Sequence, residues 1–232
     1  MSAALEPATE LPSAWETPAD FGGGGAEPYD LALRAGGGLL TVVSDGVDDD
    51  AAPLDVSAYL APATAAERRV LALTSGPVLD VGCGPARMVR AAIETGRLAL
   101  GIDISAVAVG HARARGLPVL RRSVFETLPA EGTWGAVLLL DGNIGIGGDP
   151  AALLARASEL LRPGGRMLVE THADGDRSAR FAAQLVHPVG ARSGWFPWAE
   201  VGERAATRLL DRLDMQTATV RSGGRTFVLA TR

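Results

Sequence analysis

Lysine is missing from this chain of 232 residues: all 22 basic side chains are arginine, against 27 acidic ones, for a formal net charge of −5. That balance offers no basic footprint for a nucleic-acid partner. Cysteine is almost as scarce. The single one, Cys83, excludes an intramolecular disulfide and a multi-cysteine metal site, and the three histidines lie too far apart for a metal-ligand spacing. No apolar run approaches the ~18 residues of a membrane span, and no charged region followed by an apolar core opens the chain. No membrane partner is therefore expected, and a cytoplasmic location is the default. What remains, 47% hydrophobic residues, suits one domain with a sizeable core.

Glycine, by contrast, is abundant, with 29 residues. The most informative stretch is Val78-Leu79-Asp80-Val81-Gly82-Cys83-Gly84-Pro85-Ala86-Arg87, followed after a helix-length gap by Leu100-Gly101-Ile102-Asp103. A short apolar strand enters a glycine turn, a helix follows, and a second strand ends on an acid. Glycines let backbone approach a ligand, and the helix start offers free N–H groups to it. An acid at the second strand tip stands where a ribose presents two hydroxyls. The pattern describes a nucleoside site. A dinucleotide loop wants a third glycine where Arg87 stands, so a nicotinamide-dependent oxidoreductase is the weaker alternative.

The strand and helix signals alternate regularly along the chain. Residues 1–26, rich in Ala, Pro, Glu and Gly, cannot bury much and are expected to be mobile. Residues 27–60 form a separate N-terminal segment, with a strand at Leu39–Val43, a turn at Asp45-Gly46, a solvated acidic loop at Asp48-Asp49-Asp50 and a returning strand at Pro53–Val56. Thr64-Ala65-Ala66-Glu67 reads as a capping box. Over 61–232, strands are expected at 77–81, 98–102, 118–120, 134–140 and 167–169, with helices between them. Ser105 and Asp149 serve as caps for two of those helices. A helix near 203–213 precedes two strands joined by Ser222-Gly223-Gly224, a link so short that the pair must be antiparallel.

Asp80, Gly82 and Gly84 stand in register with the D/E-x-G-x-G-x-G motif of the class I S-adenosylmethionine-dependent methyltransferases, and Leu161-Arg162-Pro163-Gly164-Gly165 is similar to that family's turn before its fifth strand. The resemblance spans residues 64–232. It implies a Rossmann-like, doubly wound α/β sheet of seven strands, five parallel plus a C-terminal antiparallel hairpin, behind an N-terminal extension. It also implies S-adenosyl-L-methionine as cofactor and a small-molecule methyl acceptor as partner. Two departures stand out: Ala86 replaces the motif's last glycine, and Ser123 stands where the family usually places an acid near the adenine. They keep a non-catalytic fold relative as a further alternative.

By the same resemblance, Gly82, Cys83 and Gly84 pass beneath the donor's methionine portion, and Asp80 holds the loop or the donor's amino group. Asp103, with Ile104, takes the ribose, its alternative role being a helix cap. Ser123, Val124 and Phe125 adjoin the adenine, although Phe125 reads equally well as core. Asp141, Gly142 and Asn143 follow the fourth strand, where donor and acceptor meet. Asp141 and His172 are the candidates for catalytic chemistry, His172 for its near-neutral titration. Gly194-Trp195-Phe196-Pro197-Trp198 gathers three of the nine Trp and Phe residues within four positions. It reads either as a pocket for a flat or apolar acceptor, with Tyr29, Trp195 and Trp198 against it, or as a satellite core. The N-terminal segment is expected to cover the cleft. An oligomeric state is not legible.

Overall fold

The computed structural model describes residues 27–45 and 51–232. The expectations for residues 1–26, for Gly46 of the turn and for the Asp48-Asp49-Asp50 loop fall outside those residues. In chain order the elements are α1 (Pro28–Arg34), β1 (Leu39–Asp45), β2 (Ala52–Asp55), α2 (Ser57–Leu60), α3 (Ala65–Leu71), β3 (Val78–Val81), α4 (Arg87–Glu94), β4 (Ala99–Asp103), α5 (Ala106–Ala114) and β5 (Val119–Arg121). There follow β6 (Trp134–Leu139), a 3-10 segment (Asn143–Gly148), α6 (Pro150–Leu160), β7 (Leu161–Thr171), β8 (Ser178–Val186), β9 (Phe196–Val201), α7 (Glu203–Asp211), β10 (Gln216–Ser222) and β11 (Arg225–Thr231). Among the described residues no helix is long and apolar enough to cross a membrane.

Seven strands form the central sheet in the order β10-β11-β7-β6-β3-β4-β5. Its five inner and right-hand strands β7, β6, β3, β4 and β5 are parallel, and β11 and β10 add the antiparallel hairpin. This is the sheet the resemblance implies. Parallel strands need both faces covered, and the side chains alternate accordingly. Leu79, Val137 and Leu139 face one core with Leu153, Leu154 and Leu160 of α6. Val78, Leu138 and Leu168 face the other, with Val70 of α3 and Met88 of α4.

The predicted caps are present. Thr64 and Glu67 exchange both bonds of a capping box, Ser105 Oγ accepts the Ala108 amide at 3.0 Å, and the Asp149 carboxylate accepts from Ala151 and Ala152. The Arg162-Pro163-Gly164-Gly165 segment, expected as a turn ahead of the fifth strand, instead lies within β7. The strand begins at Leu161 and accommodates the segment by a register shift opposite Trp134 and Ala136.

A second sheet, β2-β1-β8-β9, is antiparallel throughout. It joins the N-terminal segment to residues 178–201, so the unit outside the central sheet is discontinuous in sequence. Its core, which includes Leu33, Leu40, Phe181 and Leu185, also takes in Ala108 of α5. That contact sets the second sheet against the carboxyl edge of the first.

Candidate active site

Between the two sheets lies a cavity of about 250 Å³. Its floor is the glycine loop. Gly82 and Gly84 both sit at positive φ, +65° and +53°, where other residues are strained. A Cβ at Gly82 would lie 2.6 Å from the Asn143 side chain, and one at Gly84 3.0 Å from the Tyr29 hydroxyl. The loop is thus pressed from both sides. Asn143 clamps it by donating Nδ2–H to the carbonyls of Val81 (2.9 Å) and Gly82 (3.0 Å).

Ala86, which stands in place of the motif's last glycine, keeps the loop's turn at φ +69° while fully buried. An L-residue there carries about 1–2 kcal/mol of local strain, partly offset by the lower entropy of an unfolded alanine. Ala86→Gly is expected to stabilise the fold by roughly 0.5 kcal/mol, read as a shifted urea midpoint at unchanged slope. A loss of stability would show that the Ala86 methyl contributes more packing than strain.

Asp103, at the tip of β4, reaches back over the loop. Its Oδ2 accepts the Gly84 amide and its Oδ1 the Ser105 amide, both at 2.8 Å. Burial outweighs these bonds and pushes the carboxyl up to about 6. Ser105 Oγ in turn donates to Asp30 of α1 at 2.6 Å. Asp30 is fully buried, so the N-terminal segment is fastened to the same strand tip that carries Asp103. Asp80 lies beneath the loop rather than on the cavity wall, and burial pushes its carboxyl up to about 8.

Beyond the loop, two arginines and three carboxylates form one ionic cluster. Arg87 Nη2 donates to Glu67 Oε1 and to Asp141 Oδ2, each at 2.6 Å. Arg225, from β11, reaches Glu67 (2.8 Å) and Asp141 (2.9 Å), and it also pairs with Glu170. Glu170 Oε2 accepts the Asp141 amide at 2.5 Å, holding Asp141 at φ +56°. Burial alone would raise the Glu67 carboxyl, but the Arg87, Thr64 and Arg225 hydrogen bonds overcome it and hold Glu67 at about 2. The Tyr59 ring lies 5.6 Å from the Arg87 guanidinium carbon.

Most of the residues expected at the site do meet on the cavity wall: Gly82, Cys83, Gly84, Asp103 and Ile104, and beside them Ser123, Val124 and Phe125. Asp141, Asn143, Tyr29 and Trp198 join them there. Four others do not, Asp80 beneath the loop among them. Gly142 turns away at φ +79° without lining the cavity. His172 is exposed beyond the end of β7, its Nδ1 accepting the Asp174 amide at 3.1 Å. Trp195 is 40% exposed just before β9, also off the wall. The start of β9 brings Phe196, Pro197 and Trp198 to the cavity instead. Sequence reasoning missed Tyr59, Val42 and Leu54 on the wall and the roles of Arg87, Glu67 and Arg225 beside it. Of these, the sequence marks Arg87 as the bar to a dinucleotide and Glu67 for its cap, and the structure shows Glu67 serving both cap and cluster.

This geometry agrees with comparison to known proteins. Residues 56–211 match a family model described as a methyltransferase domain. The chain belongs to that methyltransferase family. Its fold is shared with a SAM-dependent methyltransferase from Bacteroides fragilis solved with S-adenosyl-L-homocysteine: TM-score 0.71 at 22% identity, covering 89% of this chain and 93% of that one. A 1,6-didemethyltoxoflavin-N1-methyltransferase from Burkholderia thailandensis superposes at TM-score 0.52 and 19% identity, over 71% of this chain and 74% of that one. An amino pentose methyltransferase from Micromonospora echinaspora gives 0.51 and 18%, over 71% and 86%. No curated protein sequence matches significantly. The methyltransferase thus carries the class I S-adenosylmethionine-dependent fold, and the nicotinamide alternative loses its footing where Arg87 closes the third-glycine position with a buried ion pair.

Proposed function

We propose that this methyltransferase transfers a methyl group from S-adenosylmethionine to a small-molecule acceptor bound in the same cavity. The observation that carries the reading is Asp103. Its Oδ2 and Oδ1 accept the Gly84 and Ser105 amides and the side chain lines the cavity at the tip of β4, a carboxylate acceptor placed for the two hydroxyls of a ribose. The carboxylate is desolvated and under-neutralised, so incoming donors would relieve it. Gly82, Cys83 and Gly84 would hold the methionine portion, Asp103 and Ile104 the ribose, and Ser123, Val124 and Phe125 the base. Ser123 Oγ already accepts the Phe125 amide at 3.3 Å, which leaves its own O–H to donate.

The donor, when bound, supplies a methyl group already activated on a sulfonium. The protein's task is then alignment and exclusion of water. Tyr29, Val42, Leu54 and Tyr59 from residues 27–60 line the cavity, supporting a cover over the 61–232 domain, and the Asp30–Ser105 bond fastens it. Among the described residues no histidine lies on the wall, and burial pushes both tyrosine hydroxyls upward, keeping them protonated. Asp141, the catalytic candidate that does lie on the wall, is paired with Arg87 and Arg225, so the acceptor's nucleophile would react from its own lone pair and release any proton to solvent.

Isothermal titration with S-adenosylhomocysteine should show saturable binding, while NAD and NADP should give none at the same concentrations. An isotherm for a nicotinamide dinucleotide, or silence with S-adenosylhomocysteine, overturns this reading.

A further inference from the structure

The cavity wall divides by charge. Its charged members all come from the carboxyl edge of the central sheet: Arg87 from the start of α4, Asp103 from the tip of β4, and Arg122 and Asp141 from the loops after β5 and β6. Each is already engaged: Arg87 with Asp141, Asp103 with two amides, and Arg122 with the Thr127 carbonyl at 2.7 Å. The wall given by the second sheet consists of Val42, Leu54, Ala183, Phe196, Pro197 and Trp198, without a charge among them.

The aromatic part of that wall is built to be rigid. Phe196 and Trp198 pack edge to face, with ring centroids 6.0 Å apart and planes at 90°. The 3-10 segment lies directly against them. A Cβ at Gly145 would stand 2.3 Å from the Ala199 carbonyl and 2.8 Å from the Trp198 ring, and one at Gly148 2.8 Å from Pro197. The bare glycines let β9 press onto this segment and set the Trp198 ring at the cavity. Tyr29 and Tyr59 form a second edge-to-face pair at 6.3 Å, also on the wall.

We propose that the methyl acceptor is an uncharged, flat aromatic molecule recognised by the Trp198 and Phe196 rings, with Tyr29 and Tyr59 completing the aromatic surround. This rests on the methyl-transfer reading above. A planar ring gains offset or edge contact with such side chains. A phosphorylated or carboxylated acceptor would lose its hydration against the second-sheet wall without a counter-charge. A macromolecular acceptor would have to insert a lone group into a cavity of about 250 Å³ that also serves the donor.

The test titrates 2-naphthol and 2-naphthyl phosphate into the full chain, with and without S-adenosylhomocysteine. The donor analogue is titrated separately, so a failure of the methyl-transfer reading is seen on its own. Saturable 2-naphthol binding is expected, at least about tenfold tighter than the phosphate. Trp198→Ala should weaken it about tenfold, whereas Trp198→Phe, which keeps an aromatic ring and guards against misfolding, should retain most of it. No saturable binding of 2-naphthol, or equal or tighter binding of the phosphate, overturns the proposal. A phosphate preference abolished by Arg122→Gln would relocate acceptor recognition to Arg122.

Discussion

Asp103→Ala is expected to weaken S-adenosylhomocysteine binding by at least about 100-fold, since two hydrogen bonds to a charged acceptor are each worth roughly 1.5–3 kcal/mol. The loss has two sources. The ribose would lose its acceptor, and the Gly84 amide, held at 2.8 Å, would be left without its carboxylate partner. Asp103→Asn should lose about tenfold or more, because its amide nitrogen cannot accept from either backbone N–H. The pH dependence offers an independent check. Burial pushes the Asp103 carboxyl up to about 6, so affinity that needs the carboxylate should fall as pH drops below about 6, approaching tenfold per unit. Stability of the ligand-free protein runs the other way. A folded value raised above the ordinary carboxylate range contributes stability that is fully present below about pH 4 and lost as pH rises through about 6. Through Asp103, acid therefore favours the free fold while weakening the complex; Asp103→Asn removes the affinity trend and the Asp103 share of the stability trend, and Asp80, raised to about 8, keeps its own. Calorimetry between about pH 5 and 8 and urea titrations at matching pH read the two slopes. Unchanged affinity in Asp103→Ala would take the ribose assignment down.

The central sheet was legible because its signals are local. Ser105, Asp149 and Thr64-Glu67 mark helix starts whatever lies elsewhere, and the apolar runs at 77–81 and 134–140 are short, bounded and buried on both faces. The donor loop was legible for the same reason: glycines and an acid at fixed offsets. The second sheet was only half visible. β8, Ser-Ala-Arg-Phe-Ala-Ala-Gln-Leu-Val, is alanine-rich and carries no clean alternation; Phe181, Ala182 and Ala183 are buried in succession because the strand is central in its sheet and packs against α1 and the 3-10 segment. Tertiary context overrides propensity there. Asn143 was read toward the acceptor, yet its amide donates to the Val81 and Gly82 carbonyls. No spacing rule reveals a clamp across 61 residues. His172 attracted attention for its titration range, but the geometry leaves it outside the cavity.

Arg87 shows the same limit in its strongest form, since its partners lie at positions 67 and 141 and share Arg225 with Glu170. From sequence it was an obstacle to a dinucleotide; in the fold it neutralises two acids beside the donor loop. Its side chain is 9% exposed and that of Glu67 2%. Removing one partner of a buried ion pair leaves an uncompensated charge, a cost of about 3–5 kcal/mol when no substitute exists. Arg225 remains as a partial substitute, so Arg87→Met is expected to destabilise the fold by about 3 kcal/mol in urea titrations at neutral pH. Arg87→Lys should fall between, because an ammonium keeps the charge but not the fork that reaches both carboxylates. The acid limb should move as well. Hydrogen bonds from Arg87, Thr64 and Arg225 outweigh burial and hold Glu67 at about 2. A folded value depressed in this way contributes stability present above the unfolded value of about 4.3 and lost as pH falls through about 2. Without Arg87 that loss begins at higher pH, so the acid-unfolding midpoint of Arg87→Met should rise. A double-mutant cycle with Asp141→Asn separates the pair from general damage, with a coupling of about 1–3 kcal/mol expected for residues in one ionic network. A cycle that closes to zero, or an Arg87→Met protein within ~0.5 kcal/mol of the parent, would mean that Arg225 alone neutralises the cluster and that Arg87 is dispensable to it.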